Sequence, residues 1–156
     1  MKVEQIMRRD VATCGPQDSL NVVAGIMWDR DCGCVPVVDG GSVVGMITDR
    51  DVCMAAYTQG RPLGSIRVSS AMSKHVHACR SDESVMAAEQ TLRLHRIRRL
   101  PVVDAEGRLV GILALNDIAR EAAREHDPIV REVSPEGLTE TFAEICEPRT
   151  PRRAGA

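Results

Sequence analysis

Aromatic residues are nearly absent from this sequence, which contains one Phe, one Tyr and one Trp in 156 residues. The core must therefore be built from Val, Ile, Leu, Met and Ala. Residues of the set AVILMFWYC make up 44% of the chain, which is typical of globular proteins. A chain of this length buries roughly 68–70% of its unfolded surface, enough for one ordinary core.

The sequence also lacks the features of membrane, secreted and nucleic-acid-binding proteins. No apolar run approaches the ~20 residues that a membrane-spanning helix needs, and the first ten residues lack the apolar stretch of a secretory signal. The net charge is −2, without a long basic stripe to neutralise phosphates. Six cysteines without such a signal do not indicate a disulfide scaffold. We expect a reduced, cytoplasmic protein that binds neither nucleic acid nor a membrane.

The chain does contain an internal repeat. When Met7 is placed on Met72, an offset of 65 positions, Cys, Ser and Pro residues further along coincide. One extra residue in the second copy raises the offset to 66, and "VGMITDRDV" then falls on "VGILALNDI". The pattern predicts repeat one at 3–58, a linker at 59–68, repeat two at 69–126, a C-terminal helical extension at 127–147 and a disordered tail at 148–156.

Both copies predict the same β-α-β-β-α order of elements. An extended piece near Val11–Cys14 or Val76–Cys79 precedes a helix with Ser19 or Ser84 as its N-cap. Two β-rich runs joined by a Gly-containing turn follow, and a second helix, 49–57 or 116–125, closes the unit. One such unit cannot bury both faces of its sheet. We therefore expect an α/β (α+β) fold in which two units pack with pseudo-twofold symmetry and leave clefts between them.

At this point a family resemblance becomes specific. The segments "CVPVVDGGSVVGMITDRDV" in copy one and "HRIRRLPVVDAEGRLVGILALNDIA" in copy two resemble a tandem cystathionine-β-synthase (CBS) domain pair, the Bateman module. The resemblance covers residues 3 to 126, about four fifths of the chain. It implies a regulatory module that binds an adenosyl ligand, namely AMP, ADP, ATP or S-adenosylmethionine, and requires no cofactor. It also implies a homodimer, a disc of four repeats, that signals to a separate effector protein.

Thr48 and Asp51 lie at the strand-to-helix junction of copy one. One interpretation is structural, because Thr can cap a helix and the helix dipole favours a carboxylate in the first turn. The other is functional, because a hydroxyl and a carboxylate three residues apart can hydrogen-bond a vicinal diol. The resemblance supports the functional interpretation, since Ser/Thr-x-x-Asp in CBS domains holds the ribose of adenine nucleotides.

The resemblance further implies an apolar adenine slot beside the strand that carries the x-Pro-Val segment. In copy one its lining would be Val35, Pro36 and Val37, with Thr13 and Cys14 on the neighbouring extended piece. Backbone groups along this slot would read the edge of the adenine.

Copy two contributes charge that copy one lacks. Arg98 and Arg99 stand where copy one has Gly33 and Cys34. In CBS proteins that sense adenylates, the basic pair in a similar x-Arg-Leu-Pro-Val setting reaches the phosphates, and a guanidinium suits this role through its forked donors.

The ribose position of copy two is altered. Ala114 replaces the threonine, while Asn116 and Asp117 remain at the helix start. Across a pseudo-twofold interface, the ribose site of one copy can face the arginines of the other. We therefore hypothesise one good composite nucleotide site and one weaker or vacant site around Asp117.

Three other functional classes are alternatives to nucleotide sensing. No catalytic triad, Walker loop or paired carboxylate pattern indicates an enzyme. Cys32 and Cys34 form a Cys-x-Cys that could serve a redox or metal sensor, but the two-pair zinc spacing is absent. A ligand-free scaffold that dimerises or docks a partner is the remaining alternative.

After the repeats, Ser134 followed by Pro135 predicts a short amphipathic helix.

Overall fold

The computed structural model describes residues 1–124 and 132–148. Predictions for the end of the second repeat at residues 125–126, the start of the extension and the tail from 149 lie outside the described residues. In chain order the elements are helix α1 (Val3–Ile6), helix α2 (Leu20–Asp29), strands β1 (Cys34–Asp39) and β2 (Ser42–Thr48), helix α3 (Asp49–Gln59), strand β3 (Cys79–Arg80), helix α4 (Val85–His95), strands β4 (Arg99–Val103) and β5 (Leu109–Ala114), and helices α5 (Leu115–Arg124) and α6 (Pro135–Cys146).

Each repeat contains a β-hairpin flanked by two helices. Strand β1 pairs with β2 and strand β4 with β5, both antiparallel, and each hairpin has a register shift near its turn. In copy two β3 joins β4 in parallel, while in copy one the corresponding contact is a single parallel bridge from Cys14 to Val37. This is the predicted α+β fold with two repeats. Among the described residues no helix is long and apolar enough to cross a membrane.

The helix starts follow the predicted cap positions. The Ser84 hydroxyl accepts a hydrogen bond from Ala87 N, and the Ser134 hydroxyl accepts one from Gly137 N at the start of α6. Ser19 occupies the N-cap of α2, but its hydroxyl makes no capping bond. The helix over residues 135–146 packs on α4 and α5, so it covers the helical face of copy two.

The two repeats exchange their N-terminal segments. Val3 and Met7, at the start of copy one, belong to the hydrophobic core of copy two, which also contains Leu100, Leu113 and Ile118. In the same way, the core of copy one contains Ile66 and Val68, from the segment that leads into copy two, and the partly buried Ala71 and Met72 at the start of copy two pack against it. Each core is therefore complete only when both copies are present.

A glycine in each hairpin makes this exchange sterically feasible. A Cβ atom at Gly111 would lie 2.7 Å from Met7 Sδ and 2.9 Å from Arg8 O, and one at Gly45 would lie 2.5 Å from Met72 Sδ. No real Cβ tolerates such distances. The glycine repeated in "VGMI" and "VGIL" is thus required, because the exchanged methionine segment lies directly against the strand.

We expect Gly111→Ala to lower the free energy of unfolding by about 1–3 kcal/mol, the usual cost of overpacking a core. The added methyl group meets the Arg8 carbonyl, which the backbone bridge to β5 holds in position. Urea unfolding followed by circular dichroism measures the change. Gly25→Ala is the matched control, because a Cβ there has no atom within 4 Å and alanine favours the helix. Equal stabilities of the two variants would contradict the role of the glycine.

Candidate ligand site between the repeats

Thr48 and Asp51 form a capping box at the start of α3. The Thr48 hydroxyl accepts a hydrogen bond from Asp51 N at 3.2 Å and donates to Asp51 Oδ2 at 2.7 Å, while Thr48 N donates to the same oxygen at 2.9 Å. The interpretation of Thr48 and Asp51 as residues that cap the helix is therefore confirmed. The box uses only Oδ2, and Oδ1 makes no hydrogen bond or ion pair within residues 1–124 and 132–148. Asp51 is half-buried, so this oxygen is available to a ligand hydroxyl.

Asp117 occupies the corresponding position in copy two but has a different environment. It is only 3% exposed, and its Oδ2 accepts a hydrogen bond from Ala114 N at 2.8 Å. Its Oδ1 forms ion pairs with two guanidinium groups, that of Arg120 and that of Arg8, whose Nε lies 3.4 Å away. Asn116 is exposed, and its side chain makes no hydrogen bond within the described part of the chain. The carboxylate of copy two is thus neutralised internally.

The difference between the two carboxylates follows from two neighbouring positions. Arg8 corresponds to Ser73 in the repeat, and Arg120 corresponds to Met54. Neither a serine nor a methionine can supply a positive charge to Asp51. Sequence reasoning did not identify Arg8 and Arg120, although comparing the copies position by position would have revealed the exchange of charge.

Arg99 of copy two reaches the same helix start as Asp51. A Cβ built on Gly33 would lie 3.7 Å from Arg99 Nη2 and 3.1 Å from Asp49 Oδ2, and Asp49 is the first residue of α3. Arg99 is half-buried and Arg98 is exposed. Within the described ranges neither guanidinium is engaged in a hydrogen bond or ion pair. The Asp49 carboxylate of copy one and the Arg99 guanidinium of copy two therefore both lie beside Gly33, near the start of α3.

Four of the five residues of the predicted adenine slot are buried, and only Thr13 is exposed. Val35 and Val37 are fully buried in the core of copy one, so their side chains do not reach a cleft, and a contact with a ligand there would be made by their backbone groups. Alternate side chains of a strand point to opposite faces, which leaves Pro36 as the residue of this set on the other face. Cys14 is buried, and its amide donates to the Pro36 carbonyl at 3.2 Å, so these two residues do meet.

Thr13 lies in a cleft that does not include Thr48 or Asp51. This cleft has a volume of about 380 Å³. Val11 and Val38 of copy one line one wall, and Val110 and Gly111 on strand β5 of copy two line the other. The reason is the exchange of segments. Arg8 pairs with Ile112, whereas Ser73 pairs with Met46, so the chain that runs beside the strand leading to Thr48 belongs to copy two. Of the predicted slot residues, Thr13 therefore lines a cleft whose other wall is β5, the strand that pairs with Arg8.

Burial suppresses the reactivity of the interior thiols. Desolvation raises the pKa of both Cys14 and Cys34 to about 11 and that of Cys79 to about 12. For Cys34 the nearby Arg99 guanidinium opposes this rise. Cys32 is half-buried, and within the described ranges no group of three His, Cys, Asp or Glu side chains is arranged to hold a metal ion. The Cys-x-Cys pair thus lacks the further ligands of a metal centre in that part of the chain.

The fold and the site define a class of protein, a paired-repeat module in which the carboxylate at one strand-to-helix junction, that of Asp117, is ion-paired with two arginines. The sequence pattern of the CBS domain matches residues 3–57 and 68–124. The chain is 39% identical over 117 residues to the CBS domain-containing protein YhcV of Bacillus subtilis, which covers 75% of this chain and 82% of that protein. The chain therefore belongs to the CBS domain family.

Larger proteins contain the same module. Inosine-5'-monophosphate dehydrogenase of Methanocaldococcus jannaschii is 32% identical over 130 residues, which cover 80% of this chain and 25% of that enzyme. The match to this enzyme is thus confined to a quarter of its length, and it extends to no more of that protein.

Among solved structures, three similar ones carry bound groups. The CBS domain pair of MJ0100, in complex with 5'-methylthioadenosine and S-adenosylmethionine, has a TM-score of 0.70 and 27% identity and covers 77% of this chain and 94% of that one. CBSX2 in complex with AMP has a TM-score of 0.69 and 25% identity, covering 79% and 96%. Hypoxic Response Protein I, with two coordinated zinc ions, has a TM-score of 0.70 and 28% identity, covering 82% and 100%.

Iodoacetamide at pH 8 should modify the exposed Cys53 and Cys146 and spare Cys14, Cys34 and Cys79. The thiolate is the reactive form, and at a pKa near 11 only about a thousandth of a thiol is ionised at this pH. Mass spectrometry of the alkylated protein, with and without denaturant, identifies the modified residues. Fast alkylation of Cys34 in the folded protein would contradict its protonated state and restore the thiol-sensor hypothesis.

Proposed function

We propose that this chain is a regulatory module that binds one adenosyl ligand, AMP, ADP, ATP or S-adenosylmethionine, between its repeats, with the ribose on Thr48 and Asp51. One observation carries the proposal, namely that Asp51 forms no ion pair within the described residues while its counterpart Asp117 forms two. A half-buried carboxylate with a free oxygen is a strong hydrogen-bond acceptor. The bound adenosyl compounds in MJ0100 and CBSX2 support this class of ligand.

The capping box prepares Asp51 for a diol. Thr48 N and the Thr48 hydroxyl hold Oδ2, which fixes the orientation of the carboxylate before any ligand arrives. Oδ1 can then accept a hydrogen bond from one ribose hydroxyl, while the second hydroxyl reaches Oδ2 or the Thr48 oxygen. A preorganised acceptor of this kind loses little conformational entropy on binding.

Copy two supplies the remainder of the proposed site. Arg98 and Arg99 have no partner within the described residues, and Arg99 lies close to the start of α3, so both can contact the phosphate of a nucleotide. The carboxylate of Asp49, also at the start of α3, repels anions and so limits how strongly the site attracts a negatively charged ligand. We expect the adenine to lie on the copy-two segment 76–78 and Pro101, the counterparts of the Thr13 and Pro36 positions in the other cleft.

Ligand binding across both repeats provides a mechanism of regulation. A ligand held by Asp51 of one copy and Arg99 of the other stabilises one relative orientation of the copies. The output then depends on the difference in affinity between the two orientations, since a ligand with equal affinity for both switches nothing. We propose that this output passes to a separate effector protein, and that the chain itself catalyses no reaction.

We further propose that the module forms a homodimer, as a disc of four repeats. Its aromatic residues support this, because Trp28 is 85% exposed, Tyr57 82% and Phe142 51%. Exposed aromatic side chains are enriched at protein interfaces, where they contribute much of the binding energy. Trp28 and Tyr57 lie on helices α2 and α3, whose face α6 leaves uncovered, whereas α6 covers the corresponding face of copy two.

Asp51→Asn should weaken adenosyl ligand binding at least about tenfold, because a hydrogen bond to a charged group contributes about 1.5–3 kcal/mol. Isothermal titration of AMP, ATP and S-adenosylmethionine measures the affinity and the number of sites. Asp117→Asn is the matched control and should retain the wild-type affinity. Arg99→Gln should weaken AMP and ATP more than S-adenosylmethionine, which has no phosphate.

Two outcomes of this titration would contradict the proposal. Binding that survives Asp51→Asn but is lost in Asp117→Asn would assign the ligand to the other cleft. Absence of binding for every adenosyl compound, with a folded wild-type protein, would favour a scaffold without a ligand.

Trp28→Glu should shift the sedimentation coefficient from that of a dimer to that of a monomer, because a buried interface does not tolerate an unpaired charge. Leu94→Glu, on α4, is a control of similar chemistry at a residue that is 78% exposed. A monomeric wild-type chain at micromolar concentration would contradict the homodimer.

A further inference from the structure

The two arginines paired with Asp117 take up the interactions that its carboxylate would otherwise make with a ligand. A carboxylate offers about four acceptor positions. The amide of Ala114 takes one on Oδ2 and Arg120 takes one on Oδ1, while the Arg8 guanidinium lies beside the same Oδ1 as an ion pair, with its Nε 3.4 Å away. The side chain is almost completely buried beneath these groups. A ribose diol would have to displace at least one guanidinium to reach the carboxylate.

The exchange of segments delivers Arg8 to this position. Arg8 belongs to the N-terminal segment of copy one, but Arg8 N donates to Ile112 O at 3.0 Å and Ile112 N donates to Arg8 O at 2.9 Å. In the other cleft Ser73 and Met46 form the same pair of bonds, at 2.9 Å and 3.1 Å. The backbone is thus alike in both clefts, and the state of each carboxylate is decided by side chains alone.

We propose that Arg8 and Arg120 are a built-in occupant of the second cleft, which hold Asp117 as an internal ion pair and exclude a diol ligand from it. The chain is thereby limited to one adenosyl ligand, and three substitutions that copy the open cleft, Arg8→Ser, Ala114→Thr and Arg120→Met, open a second site. The inference rests on the proposed function in one respect, that the excluded ligand is an adenosyl compound.

The test is made in an Asp51→Asn background, in which the first site is weakened at least about tenfold. Titration of AMP and S-adenosylmethionine into this variant, at concentrations near the wild-type Kd, should give little binding. Adding Arg8→Ser, Ala114→Thr and Arg120→Met should restore binding at one ligand per chain. The Ala114→Thr change alone in the same background is the matched control, and it should stay silent because the arginines remain.

A second measurement needs no ligand. Arg8→Ser with Arg120→Met leaves a buried carboxylate without a counter-charge, which is strongly destabilising. The pair of substitutions should therefore lower the midpoint of thermal unfolding clearly when Asp117 is present, and much less in an Asp117→Asn chain. Additive effects in this double-mutant cycle would overturn the ion pair.

The outcomes separate this inference from the proposed function. Two ligands per wild-type chain, or a folded triple variant that stays silent in the Asp51→Asn background although the wild type binds, would overturn the inference and leave the first site intact. A wild-type chain that binds no adenosyl compound would overturn the proposed function, and the unfolding cycle would then decide the role of the arginines.

Discussion

The close contact between a methionine and a glycine, made once in each hairpin, is the constraint on which the rest of the structure depends. Met7 lies against Gly111 and Met72 against Gly45, and each contact brings the start of one repeat into the core of the other. The repeats are therefore not independent domains joined by a linker. Because each core needs both copies, the relative position of the two clefts is fixed by core packing rather than by a surface contact.

Within this symmetric frame the side chains have diverged, and the divergence concerns charge. Within the described residues Asp51 forms no ion pair whereas Asp117 forms two, and Arg99 lies near the start of the helix that carries Asp51. A further difference lies at the C-terminal end of α2 in copy one and of α4 in copy two. Copy one has an Arg30–Asp10 ion pair there, at 2.9 Å, whereas copy two has stacked His77 and His95 rings. A single backbone plan thus supports two clefts of different chemistry.

Much of the fold could be predicted because it depends on local patterns. The turn residues, the β-rich runs and the Ser84 and Ser134 caps all follow from neighbouring residues, and the capping role of Thr48 does too. The exchange of segments could not be predicted in this way, since it joins residues about a hundred positions apart, such as Met7 and Gly111. For the same reason the sequence did not reveal Arg8 or the cleft that Thr13 lines, whose other wall comes from copy two.

The central claim is that one cleft is open to an adenosyl ligand and the other is closed by arginine. A crystal structure of the chain grown with AMP tests it most directly. The account predicts one nucleotide per chain, with its ribose hydroxyls within hydrogen-bond distance of Asp51, and Arg8 still paired with Asp117. A nucleotide whose ribose lies on Asp117, with Arg8 displaced, would contradict it.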